Sequence, residues 1–273
     1  MSSSLFSDSI IRSLDQYVRV EDAEEEVCEL YAVYYSSDSS DRLNLVDASK
    51  TELEIEIRQG QKYILLTISQ NPNINGELGQ TGAVLWNSSV VMSEFFAQHT
   101  DIWPINNINV VELGSGCGLV GLTLHRLGAK QVVLTDQSRM LRLLNRNIVG
   151  NKQKDKEQRE VFAAEYIWGD APEDQRILQK KVDLVVASDC VYHESVAPLL
   201  VSSLVDVCSS REDEVPVVAV IGQELRSDLV HQEFLARLLK SFTVYRVPIS
   251  DSVDAVYVLY VALLRKDVPN ELI

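Results

Sequence analysis

The sequence predicts an α/β protein: a parallel sheet with helices on both faces, preceded by an N-terminal helix and β-hairpin extension. Three observations carry that expectation. From about residue 108 onward, short β-branched runs alternate with amphipathic stretches, the pattern of strands joined by crossover helices. One of those runs, Val110-Val111-Glu112-Leu113, passes directly into Gly114-Ser115-Gly116-Cys117-Gly118-Leu119-Val120-Gly121, which reads as a strand, a tight turn and a helix start. The last two apolar runs are separated only by a polar turn, which predicts an antiparallel hairpin rather than another crossover.

The elements follow in order. Residues 5–18 form a short amphipathic helix, with Leu5, Ile10, Ile11 and Leu14 apolar. The acidic run Glu21, Asp22, Glu24, Glu25, Glu26 and Glu29 reads as a solvated face or loop; the competing reading is an acidic lip that attracts a basic substrate. Residues 36–40 are a polar loop. Leu53-Glu54-Ile55-Glu56-Ile57 alternates with period two, and 63–68 follows a short polar turn, so the two pair as a hairpin. Pro, Gly and Asn mark 71–80 as a loop. A helix through about residue 98 follows Thr81-Gly82-Ala83-Val84-Leu85-Trp86. Strands are expected at 109–113, 131–135, 162–166, 183–188 and 217–221, and helices at 119–127, 138–149, 195–208 and 228–239. Residues 151–160 are a charged loop, and 243–247 pairs with 255–264. This divides the chain into an N-terminal extension, 1–80, and a main domain, 81–273.

Composition narrows the function. The chain of 273 residues is 46% hydrophobic and carries a net charge of −15. It has no clustered basic face, so nucleic acid is not the expected partner. The acidity either favours basic partners or only maintains solubility. Cys28, Cys117, Cys190 and Cys208 lie far apart with no CxxC pair, which predicts no metal site and free thiols in a reducing compartment. Residues 1–16 lack a basic segment followed by an apolar run, so no secretory leader is expected. The run 255–264 is too short to span a membrane. A soluble, cytoplasmic protein is expected.

In an open parallel sheet the ligand lies at the carboxyl ends of the strands. Three places should therefore converge: the turn after Leu113, Asp136, and Ser188-Asp189. Asp136 is placed to hold a ribose hydroxyl pair, or else to cap the following helix. Gly116, Gly118 and Gly121 spell GxGxxG, but the first of them lies beyond the strand end. Counted from Gly114 the dinucleotide pattern fails at Leu119. Glu112, an acid just before the turn, is unwelcome beside a pyrophosphate and tolerable beside an ammonium and a sulfonium.

Glu112 to Gly118 resembles the first motif of the seven-strand (class I) methyltransferases, and the closing hairpin resembles their last two strands. Thr81-Gly82-Ala83-Val84-Leu85-Trp86-Asn87, Ile167-Trp168-Gly169-Asp170 and Ser188-Asp189-Cys190-Val191-Tyr192 look like the methyltransferase-like 21 family of protein-lysine methyltransferases. The resemblance spans residues 81–266. It implies a Rossmann-like seven-strand methyltransferase sheet with an antiparallel last strand, and S-adenosyl-L-methionine as cofactor. It also implies methyl transfer to a lysine of a protein substrate such as a translation factor, chaperone or ribosomal protein. By the same resemblance, Gly114, Ser115 and Gly116 pass the methionine part, Asp136 holds the ribose, Trp168 lies beside the adenine, Trp86 near the methionine end, and Ser188 on the floor. Asp189 and Tyr192 form the catalytic pair, Asp189 orienting the lysine ammonium and Tyr192 flanking the amine. Glu112 is expected to reach the cofactor's amino group through water. Trp103 is expected in packing, His193 on the surface, and Cys117 and Cys190 in no nucleophilic role. The family's acidic residue after the first Trp is Asn87 here. The protein is expected to be a monomer. An NAD-dependent oxidoreductase, a small-molecule methyltransferase and a non-enzymatic scaffold stay open as alternatives.

Overall fold

The computed structural model describes residues 3–36, 45–72, 81–152, 159–179, 181–211, 213–249 and 256–266. The expected loops at 36–40, 71–80 and 151–160, and the start of the last expected strand at 255, fall wholly or largely outside the described residues.

The N-terminal segment supplies α1 (Ser3–Ser13), β1 (Val18–Val20), α2 (Ala23–Ser36) and the hairpin β2 (Glu52–Gln59) and β3 (Lys62–Ser69). Helix α1 is shorter than expected because it tightens into a 3-10 turn, Leu14–Gln16, and the chain then extends into β1. The acidic run is the solvated face of the two expected forms rather than a loop: all of it but Glu26 is exposed, and from Glu24 on it lies in α2. The Asp22 carboxylate accepts the N–H groups of Glu24 and Glu25 at 2.9 Å each, and three glutamates in the first turn complement the positive end of the helix. Density of charge hid a capping signal. In the hairpin Leu53, Ile55 and Ile57 face inward and the intervening glutamates outward, as their alternation predicts.

The rest of the chain runs α3 (Asn87–Gln98), β4 (Asn109–Leu113), α4 (Leu119–Arg126), β5 (Gln131–Asp136), α5 (Leu141–Gly150), β6 (Glu160–Glu165), β7 (Leu184–Ser188), α6 (Ala197–Ser209), β8 (Val218–Glu224), α7 (Asp228–Ser241), β9 (Phe242–Val247) and β10 (Tyr257–Leu264). The main sheet has the order β1-β9-β10-β8-β7-β4-β5-β6. Strands β8, β7, β4, β5 and β6 are mutually parallel, and β10 is antiparallel to both β8 and β9. Strands β4 to β10 are thus the expected Rossmann-like seven-strand sheet with its antiparallel last strand. Strand β1 is an eighth, antiparallel to β9. Strand β8 continues past the expected end at Ile221 through Gly222-Gln223-Glu224, because β10 still pairs with those residues.

Alternation along the strands divides the core. Val110, Val132, Leu134, Leu184 and Val186 face a cluster with α3, α4, the hairpin and Phe6 and Ile10 of α1. Val111, Leu113, Val133, Val185 and Ala187 face α6, α7 and the Val27, Leu30 and Tyr31 side of α2. Two asparagines four apart, Asn147 on α5 and Asn151 capping its end, bind the hairpin as a neighbouring strand would. Asn147 accepts the Ser69 N–H at 2.8 Å and donates to the Ser69 carbonyl at 3.0 Å; Asn151 does the same with Thr67 at 2.9 and 2.8 Å. Asn147 also donates to the Cys117 carbonyl at 2.9 Å, tying the hairpin to the glycine turn.

Candidate active site

Strands β4, β5 and β7 are adjacent and parallel, so their carboxyl ends open into one place. A pocket there is walled by Gly114, Ser115 and Gly116 after β4, Asp136 at the end of β5, and Trp168 after β6. Trp86 before α3, Ser188 at the end of β7, and Asp189 and Tyr192 beyond it complete the wall. Apart from Glu112, every residue singled out by sequence for this site therefore lines a single cavity.

The turn is shaped by close backbone approach. Gly114, Gly116 and Gly118 all have positive φ, 62°, 53° and 83°, where a side chain is strained. A Cβ on Gly114 would come within 2.7 Å of the Trp168 indole and 2.8 Å of the Cys190 sulfur; one on Gly116 would come within 3.1 Å of the Gly82 carbonyl. Trp168 lies directly on Gly114, and the turn at Gly82 lies on Gly116. The Gly82 contact explains why that glycine precedes Trp86 in the motif.

The amides of the turn are occupied from within. Ser115 N–H donates to the Thr135 carbonyl at 2.9 Å and Gly118 N–H to the Ser115 carbonyl at 2.7 Å. Gly116 N–H donates to Asp136 at 2.8 Å, and Gly121 N–H to Glu112 at 3.0 Å. A pyrophosphate cradle needs such groups free, and among the described lining residues there is no lysine or arginine. This weighs against the dinucleotide alternative. The charge of Glu112 does not: its side chain is absent from the pocket wall and 2% exposed, and burial pushes its carboxyl up to about 8. Glu112 is therefore largely neutral near pH 7. By accepting the Gly121 N–H it secures α4 to β4. Gly121 has a packing role, since a Cβ there would meet Leu134 at 2.1 Å and Glu112 at 2.6 Å.

Asp136 accepts from Gly116 with one oxygen and from the Gln137 N–H, at 2.7 Å, with the other. Each carboxylate oxygen retains a lone pair. Burial raises its carboxyl above the ordinary value, against the pull of those N–H groups. The Ser188 hydroxyl lies 3.2 Å from that of Ser88 and 3.3 Å from that of Ser89, joining the end of β7 to the start of α3. Cys117 and Cys190 are buried; burial pushes the first thiol up to about 12 and the second well above its usual range, so neither supplies a thiolate.

At the far end of the pocket Asp189 sits at φ 57°, a left-handed conformation that Asp tolerates better than most residues. Its N–H donates to the Gly222 carbonyl at 2.8 Å. Gln223 pins the next turn by accepting the Val191 N–H at 3.1 Å and donating to its carbonyl at 2.8 Å. The ring of Tyr192 is thereby held at the mouth, 43% exposed. Sequence reasoning missed Arg226, which binds both oxygens of Asp189, and Glu224 beside it. A signal existed: Ser188 is in register with Gly222 in parallel β8, so residues just after Gly222 must lie beside Asp189. His193 is exposed and bonded to the Ser195 hydroxyl at 2.9 Å, outside this pocket. Trp103 is fully buried among Phe6, Phe95 and Phe96.

A family model described as lysine methyltransferase matches residues 67–241. Protein-lysine N-methyltransferase EFM6 of Saccharomyces cerevisiae is 34% identical over 150 residues, covering 50% of this chain and 58% of that protein. Protein N-lysine methyltransferase METTL21A of Mus musculus is 30% identical over 165 residues, covering 60% and 70%. Diaminohydroxyphosphoribosylamino-pyrimidine deaminase of Schizosaccharomyces pombe is 28% identical over 231 residues, covering 82% and 53%. The chain thus spans 58% and 53% of the lengths of the two yeast proteins.

Proposed function

This chain belongs to the lysine methyltransferase family, and from that premise we propose that it transfers a methyl group from S-adenosyl-L-methionine to a lysine side chain of a protein substrate. The observation that carries the reading is the meeting, in one pocket, of a glycine turn with occupied amides, an acid at the end of β5 and two indoles. An acid–tyrosine pair stands at the far end. The residues fit such a cofactor: a pocket with a carboxylate at Asp136 and no lining lysine or arginine suits a ligand carrying ammonium and sulfonium charge.

In this reading S-adenosylmethionine supplies a methyl group already activated on a sulfonium. Asp136 would receive the ribose hydroxyls on its remaining lone pairs, and Trp168 would pack beside the adenine. Gly114, Ser115 and Gly116 would border the methionine part, with Trp86 at its end and Ser188 beneath. Tyr192 flanks the acceptor amine with its ring face and hydroxyl, next to Asp189. When bound, the cofactor would supply its methyl group to an in-line displacement by the amine nitrogen, with the electron pair of the breaking bond left on sulfur. A free lysine has a pKa of about 10.4, so its proton must leave before attack. No residue here is asked to be a strong base. Most of the acceleration comes from alignment, worth up to about 7–11 kcal/mol in well-oriented cases.

The substrate belongs to the class of proteins that present an exposed lysine, with translation factors, chaperones and ribosomal proteins the natural candidates. A cytoplasmic monomer is proposed; among the described residues no helix is long and apolar enough to cross a membrane. The test is incubation with methyl-labelled S-adenosylmethionine and a lysate from cells lacking the protein. Label in a discrete protein band, recovered as methyl-lysine, is expected. Calorimetric cofactor binding with no labelled protein, or label only in small molecules, overturns the lysine reading. Tight NAD binding without S-adenosylmethionine binding overturns the cofactor.

A further inference from the structure

The Asp189 carboxylate is not free. Arg226 Nη1 donates to its Oδ1 at 2.7 Å and Nη2 to its Oδ2 at 2.6 Å, a fork on both oxygens, and the Asp189 side chain is 1% exposed. The same Nη2 donates to Glu224 Oε2 at 2.8 Å, and the guanidinium carbon stands 5.0 Å over the Trp86 ring. From α2 the Tyr31 hydroxyl meets the Arg226 backbone N–H. The acceptor end thus contains a fixed cation gripped by two carboxylates and laid on an aromatic wall.

We infer that Arg226 is a positioning residue for methyl transfer: by laying its guanidinium on both oxygens of Asp189 it offsets the charge that would hold a substrate ammonium, so the acceptor amine enters in its neutral form. This rests on the lysine reading above. A fixed positive charge beside an amine favours the uncharged state, whereas an unpaired buried carboxylate favours the ammonium. The charged and titratable groups around Arg226 are Asp189 after β7, Glu224 at the end of β8, Tyr31 and Asp228 on α2 and α7, and Tyr257 on β10. Counting Asp189, Arg226 and Glu224, the local formal charge is −1; without the guanidinium it is −2. Asp189 therefore shapes the wall and Trp86 is steadied from outside, while no free anion traps the protonated substrate.

The test compares wild type, Arg226→Gln and Arg226→Lys, each shown to melt cooperatively by circular dichroism. The first measurement is the affinity of protein loaded with S-adenosylhomocysteine for n-butylammonium, a mimic of the lysine end, by ligand-observed NMR near neutral pH. Loss of one cation should tighten R226Q binding by about tenfold, with R226K close to wild type. The second is the pH dependence of label incorporation into the same lysate protein. Its rising limb should move up by about one pH unit in R226Q and stay in place in R226K; a merely structural role lowers the rate without moving the limb. Wild-type butylammonium affinity together with a wild-type limb in R226Q overturns the inference. Failure of the wild type to label protein defeats the lysine reading instead, and the butylammonium measurement still decides the role of Arg226. If R226Q does not melt cooperatively, R226M, which keeps the apolar stem over Trp86, takes its place with the same two outcomes.

Discussion

Glu112→Gln separates a packing acid from a ligand-binding one. The carboxyl is buried and lies at about 8 in the folded chain against an ordinary 4.5. Because the folded value is raised, the folded state holds a proton that the unfolded chain releases. Stability from this group is intact below about pH 4.5 and is lost as pH rises towards 8. At about 1.4 kcal/mol per unit, the full loss is about 5 kcal/mol, and about 3 kcal/mol has gone by pH 7. A glutamine keeps the shape, can still accept from Gly121 N–H, and never ionises. Urea melts of both proteins from pH 5 to pH 8 should therefore diverge with rising pH, E112Q being the more stable by about 3 kcal/mol at pH 7. That corresponds to a rise in Tm of about 6–12 °C for a domain of this size. Cofactor affinity should stay within about twofold, because the side chain does not reach the pocket. A pH-independent difference between the two proteins would refute the buried, neutral assignment. A tenfold loss of S-adenosylmethionine affinity would restore Glu112 to the ligand.

Three further outcomes follow from single contacts. Asn147→Ala removes three buried hydrogen bonds, to Ser69 twice and to Cys117, and should cost about 3 kcal/mol in urea unfolding; a loss below about 1 kcal/mol would mean that the hairpin is held by its apolar face alone. His231 is buried and lowered to about 4, so its contribution is intact above about pH 6.5 and is lost as pH falls to 4, by up to about 3 kcal/mol. His231→Phe should flatten the acid limb of the stability curve, and an unchanged limb counts against the assignment. Gly114→Ala puts a Cβ into Trp168 and Cys190 at φ 62°. Calorimetry should register at least about a tenfold loss of S-adenosylmethionine affinity, and undiminished binding would show that the indole does not need to rest on the turn.

The parts of the molecule legible in the sequence are those written in local signals. Period-two and period-3.6 patterns located the strands and helices, and glycines or acids at strand ends marked what lines the pocket. Parallel topology then brought Gly114, Asp136 and Ser188 to one edge. Features that depend on pairing between distant segments were not legible in this way. Strand β1 is three residues, Val18–Val20, too short to show a period, and it exists because β9 offers an edge. Helix α2 was hidden because its first turn is dense in acids, although Asp22 caps it and one face carries Val27, Leu30 and Tyr31.

Glu112 shows the same limit at the level of one side chain. Consecutive strand residues point to opposite faces of the sheet, and only residues beyond the strand end look along its axis into the crevice. Leu113 joins the cluster on the α6 and α7 side, so Glu112 must point to the face covered by α4, where Gly121 leaves the space for it and supplies its N–H. The acid that seemed to choose the ligand by charge instead fixes the helix start by packing. What weighs against a pyrophosphate is the Gly116 amide that Asp136 consumes. The third glycine, read as part of a phosphate loop, is required because the Leu134 side chain and the Glu112 carboxyl group occupy the place where its side chain would be.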